Sequence, residues 1–192
     1  MHSRVLRYLV LTVLMSLSPV VNLLAQPKSN DNELLLSASL FRPINSGSGS
    51  FNADVVYSYH FDDPSWELGL RQSFTYSFSD TDSDVWNAVT APIARYNILT
   101  DSIFGIPRRP EFVPFVGGLL GAVWNDNTVT GTTGPEAGLR WYARESTFLV
   151  LSYRYEWFFE SLDSSDNSQS ANHVVALGIG FNWGGRNRTA VR

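Results

Sequence analysis

The chain contains no cysteine. That excludes disulfide stapling and CxxC chemistry, and it leaves no residue to take a lipid near the N-terminus, so stability must come from packing and backbone pairing. Long apolar runs are also missing. Hydrophobic residues make up an ordinary 44%, and beyond residue 25 nothing approaches the roughly 20 consecutive apolar residues of a membrane helix. A helical membrane protein is therefore excluded. There is no basic tract, and nucleic acid is not expected as a partner. Histidine occurs only at positions 2, 60 and 173, without metal-site spacing, and neither HExxH nor a glycine-rich phosphate loop is present.

The first residues have the form of a secretory signal. His2, Arg4 and Arg7 precede a ten-residue apolar run from Tyr8 to Leu17, and Ala25 stands before Gln26-Pro27. Residues 1–25 are expected to be removed, leaving 167 residues with 12 basic against 18 acidic side chains, a net charge of −6. Residues 26–32 then form a short polar lead, 33–185 the folded body and 186–192 a basic tail.

What the body has in abundance is alternation. From His173 to Trp183, His173, Val175, Leu177, Ile179, Phe181 and Trp183 are mostly large and apolar, while Val174, Ala176, Gly178, Gly180 and Asn182 are mostly small. A period of two means strand. The thin face suits the crowded inside of a narrow barrel, with the bulky face turned outward. The same pattern recurs over 33–42, 51–61, 66–78, 86–98, 130–143 and 147–159. Phe112 to Trp124 is strand-like and glycine-rich but apolar on both faces, so its inner and outer sides stay unassigned. Pro92 must cost a ladder bond or mark a bulge.

That makes eight strands of about 10–14 residues. An even antiparallel set can close without edges, and about 11 residues tilted near 45° span roughly 25 Å, the height of a bilayer's apolar band. All six tryptophans (66, 86, 124, 141, 157 and 183) fall near strand ends, mostly on the bulky face, where headgroup-level aromatics belong. The thin face gathers Glu33, Asp54, Glu67, Arg71, Arg95, Glu136, Arg140, Arg154 and Glu156. Isolated charges there would be very costly, and interlocking pairs across neighbouring strands could satisfy them. With eight strands the interior is just wide enough to be filled by side chains. The lumen should be plugged rather than open.

On PFVGGLLGAVW (114–124), GPEAGLRWYARESTFLVLSYRYEWFF (134–159) and HVVALGIGFNW (173–183), the chain resembles the small eight-stranded outer-membrane β-barrels of bacteria, the OmpA-like and OmpX-like type. It departs from them in carrying nine residues after Trp183, where members usually end on an aromatic. The resemblance implies an all-β, up-and-down transmembrane barrel in the cell outer membrane. Its partners would be membrane lipid, lipopolysaccharide and the assembly machinery, and it would act as a monomer. It does not imply an activity. The expected role is non-catalytic, in envelope structure or in surface contact through the hydrophilic segment 160–172. No catalytic, cofactor-binding or metal residue is nominated.

Three alternatives define the tests. A narrow porin needs a continuous wet path. A lipid A-modifying hydrolase needs a Ser/His/acid set, for which Ser58 with His60, or His173 with Ser170 and Glu160, are the available groups. A secreted lipocalin-like barrel needs an apolar interior. The acidic run 79–84 resembles a calcium-loop fragment but lacks the glycine and glutamate at its sixth and twelfth positions. It reads as a solvated loop.

Overall fold

The computed structural model describes residues 32–41, 49–61, 63, 65–78, 85–99, 102–103, 106–107, 111–124, 129–159 and 170–184. The expected signal (1–25), most of the polar lead and the tail 186–192 lie outside these residues, as does most of segment 160–172.

The alternating segments become strands: β1 (Asn32–Phe41), β2 (Gly49–His60), β3 (Trp66–Phe78), β4 (Val85–Asn97), β5 (Ser102–Ile103), β6 (Ile106–Pro107), β7 (Phe112–Trp124), β8 (Val129–Arg144), β9 (Thr147–Phe158) and β10 (Ser170–Trp183). Eight of them close a barrel in the order β1-β10-β9-β8-β7-β4-β3-β2. Each neighbouring pair is antiparallel, and β1 meets β10 from Asn32↔Trp183 to Ala38↔Leu177 to seal it. No helix occurs among the described residues.

Two stretches pair beyond the alternating segments. Within 100–110, β5 and β6 pair as a small separate hairpin, through Ser102↔Pro107 and Ile103↔Ile106. Its two-residue strands are too short for alternation to reveal. β10 also begins at Ser170, three residues before His173, because Ser170, Ala171 and Asn172 pair with Phe158, Trp157 and Glu156.

Pro92 marks no bulge. Thr90↔Ala122 and Ile93↔Leu119 keep one register across β4 and β7, and pairing lapses only at the two residues between them. Pro135 does the same to β8 and β9, where pairing lapses between Thr133↔Trp157 and Glu136↔Arg154. Each proline lacks the N–H that its neighbour's carbonyl would accept.

Outside the wall, Leu36, Val55, Leu68, Leu70, Val116, Leu120, Leu139, Leu151, Val175 and Leu177 are exposed and form an aliphatic band. Rings gather above and below it. At the end bearing both termini of the barrel, Trp66 stands 5.1 Å from Tyr96, Phe112 stacks on Trp141, and Tyr57 donates to Asn32 Oδ1 at 2.7 Å. At the far end, Tyr76 meets Trp86 at 4.5 Å and Tyr155 meets Trp157 at 4.7 Å. On β3 the outward Gln72 accepts from the Thr90 hydroxyl at 2.7 Å through its Oε1.

Candidate functional site

The lumen is where this fold places its chemistry. All nine charged side chains of the thin face are buried inside, at 5% exposure or less. Most pair across the lumen, not with the adjacent strand as the sequence suggested, because closure brings distant strands face to face. Arg95 on β4 grips Glu136 on β8 with two bonds of 2.9 and 3.2 Å and donates to Glu67 at 3.1 Å. Arg140 on β8 donates to Glu33 on β1 at 3.0 Å, to Glu67 on β3 at 2.5 Å and to Asn97 on β4 at 2.5 Å. Nearer the far end, Arg154 donates to Asp54 at 2.7 Å, and Arg71 to Glu156 at 3.0 Å. The Ser73 and Ser37 hydroxyls complete Asp54, at 2.5 and 3.2 Å. Every buried cation of these pairs is an arginine, whose planar fork can hold two carboxylates at once.

Glycines make the crossings possible. A Cβ on Gly117 would lie 2.8 Å from Arg95 Cγ, so β7 must be bare there for Arg95 to pass over it to β8. Gly138 leaves room for the Phe115 ring, and Gly180 for the Phe148 ring. Those rings in turn carry the guanidinia: Arg95 and Arg140 lie 5.1 and 5.0 Å from the Phe115 centroid, and Arg140 lies 5.3 Å from that of Phe148.

Part of the lumen is apolar. Val113, Phe115, Leu119 and Val123 of β7 point inward beside Val89, Ala91 and Ile93 of β4. This settles the strand whose faces the sequence left unassigned. The plug thus sets charged pairs beside an aliphatic side formed by β4 and β7.

His60 Nε2 lies 3.2 Å from Glu33 Oε2. Ser58 shares its inward face, but among the described residues the Ser58 hydroxyl has no hydrogen-bond partner, so it makes no contact with His60 as a base. His173 faces outward between Tyr153 and Tyr155, with its Nδ1 2.6 Å from the Tyr153 hydroxyl. Glu160 and the Ser170 side chain lie outside the described residues. Glu33, His60 and Glu67 converge closely enough to suggest a cation site. Arg140 Nη2 already bridges the two carboxylates, however, at 3.0 and 2.5 Å. A metal would have to displace that guanidinium. At the hairpin turn outside the barrel, the Ser65 amide donates to Asp63 at 2.9 Å and holds that carboxyl below its usual range.

No protein-family model matches the chain, and no curated protein matches it. Solved structures do match. Neisserial surface protein A (NspA) aligns with a TM-score of 0.61 at 11% identity, over 79% of this chain and 97% of its own. The fold is that of a small outer-membrane barrel. The outer membrane protein OprG of Pseudomonas aeruginosa aligns at 0.51 with 10% identity, over 83% of this chain and 99% of its own. Yersinia pestis outer membrane protein Ail, in a phospholipid nanodisc, aligns at 0.50 with 15% identity, over 80% and 99%. At these identities the likeness concerns the fold.

Proposed function

We propose that the protein is a monomeric, non-catalytic barrel of the bacterial outer membrane whose lumen is closed. Its role lies in the envelope structure itself or in contacts made by the connections at the far end. The observation that carries this reading is the set of arginine–carboxylate pairs crossing the lumen. A side-chain-filled interior opposes the porin alternative, and four buried arginines oppose a lipocalin-like cavity. The geometry of Ser58 and His60 supports no acyl transfer. The exposed aliphatic band between two ring belts supports the membrane reading, since a 13-residue strand such as β3, tilted near 45°, rises about 30 Å.

The test pairs neighbours on β9. Leu151 is exposed outward and Ser152 is buried inward. Leu151→Arg should lower unfolding stability in lipid vesicles by roughly 2–4 kcal/mol if it lies near the bilayer midplane, while Ser152→Ala costs little. Equal effects would remove the membrane reading. In cells, the mature protein should begin near Gln26 and fractionate with the outer membrane. Recovery in the cytoplasm with Met1 intact would contradict that. Protease added to intact cells should cut within 160–172, and cutting at the Asp63–Ser65 turn instead would invert the topology.

A further inference from the structure

The outward face is not uniformly ridged. A groove of about 570 Å³ crosses β3, β4, β7 and β8. Its floor follows one row of register partners, Leu68↔Ala94↔Gly118↔Pro135. The middle of that row has almost no side chain. Leu120 and Pro92 wall it on one side, and Trp157 closes its upper end.

The row climbs the barrel. Counted from the end that carries the termini, Leu68 is the third residue of its strand, Ala94 the fourth, Gly118 the seventh and Pro135 the tenth. The trough therefore starts just above the Trp66–Tyr96 ring pair and runs obliquely toward mid-height. Three strand spacings make it about 14 Å long, within the roughly 15 Å that one leaflet contributes to a bilayer's hydrocarbon core.

Its chemistry is that of hydrocarbon. None of the lining residues is charged. The Thr133 hydroxyl is taken by the Leu119 carbonyl at 2.8 Å. Both prolines lack an N–H. The Trp157 indole, at the closed end, is the one remaining side-chain donor in the lining. A second copy of the chain is a poor occupant, because a stable protein interface buries about 800 Å² on each partner and this trough is one residue wide.

We infer that the trough seats one acyl chain of a phospholipid from the leaflet on the side of the termini. The headgroup lies at the level of Trp66 and Tyr96, and the chain passes over Ala94 and Gly118 toward Pro135. This rests on the membrane reading proposed above. It adds that one lipid is held in a built site, distinct from the freely exchanging lipid around the rest of the wall.

The full chain, refolded into vesicles of phosphatidylethanolamine and phosphatidylglycerol, is extracted into mild detergent and weighed by native mass spectrometry. One phospholipid should remain per barrel. Gly118→Leu should lower its retention about tenfold, the equivalent of losing on the order of ten heavy-atom packing contacts. A Cβ at Gly118 meets only the Gly134 carbonyl oxygen, at 3.3 Å, so the substitution fills the trough and asks that carbonyl to yield slightly. Ala94→Leu blocks the same trough one strand away and carries the test if Gly118→Leu does not fold, as judged by heat-modifiable migration. Insertion without a retained phospholipid, or equal retention in folded variants, overturns the seat alone. Failure of the unmodified chain to insert at all overturns the membrane reading with it.

Discussion

The lumen holds two charge clusters built from the same residue types, and they are satisfied to different degrees. Near the termini, all three nitrogens of the Arg95 guanidinium are bonded, and Arg140 is held by three acceptors and two aromatic rings. Toward the far end, Arg71 bonds through a single nitrogen, and among the described residues its Nε and Nη1 have no hydrogen-bond partner, nor does Nη2 of Arg154, whereas in the first cluster only Nε of Arg140 is left open. Arg71 is 0% exposed and Arg154 2%. Buried donors of this kind bind ordered water. The difference teaches that equal burial does not bring equal hydrogen bonding. The end near the termini is the more completely bonded network, and the far half leaves more guanidinium donors open to water.

The largest expected effect tests the better-bonded network. Glu67 accepts from both Arg95 and Arg140. Glu67→Gln should therefore destabilise the barrel by about 3–5 kcal/mol, because it leaves buried guanidinia short of charge. Equilibrium unfolding in vesicles measures it, and a change under 1 kcal/mol would mean that this cluster is open to water as well. Arg71→Met should cost less, about 1–3 kcal/mol, because Glu156 keeps Arg154, whose Nε lies 3.0 Å away. A loss as large as that of Glu67→Gln would erase the distinction between the two clusters. The smallest effect belongs to Ser58→Ala. Its hydroxyl is buried without a partner, so stability should change by less than about 0.5 kcal/mol or rise slightly.

These positions also show what the sequence could convey. The inward face of Glu33, Glu67, Arg71, Glu136, Arg140 and Arg154 was readable, since strict alternation reports which side of a wall a residue takes. The partners were not, because a pair such as Arg140–Glu33, 107 positions apart, exists only after closure sets the stagger of the strands. β7 hid its faces for a physical reason. Val113, Phe115, Leu119 and Val123 fill the lumen while Val116, Leu120 and Trp124 face outward, so apolar residues on both sides cancel the period of two. The glycines carried a signal whose meaning lay elsewhere. Gly180 is bare because Phe148 lies over it, and Gly184, at φ 77°, ends β10 in a left-handed turn beside Asn32. Pro92 was visible as a ladder breaker, but the trough between it and Pro135 depends on a register that spans four strands.

The central claim is that the lumen is shut, and single-channel recording in planar bilayers tests it most directly. The unmodified barrel should give negligible conductance, since the charged pairs and the β4–β7 aliphatic side together fill its interior. Arg154→Ala frees space beside Asp54 and Glu156 and should give at most brief, small events, with lower stability. Large, steady single-channel currents from the unmodified protein would contradict the closed lumen and make a small-solute porin the better account.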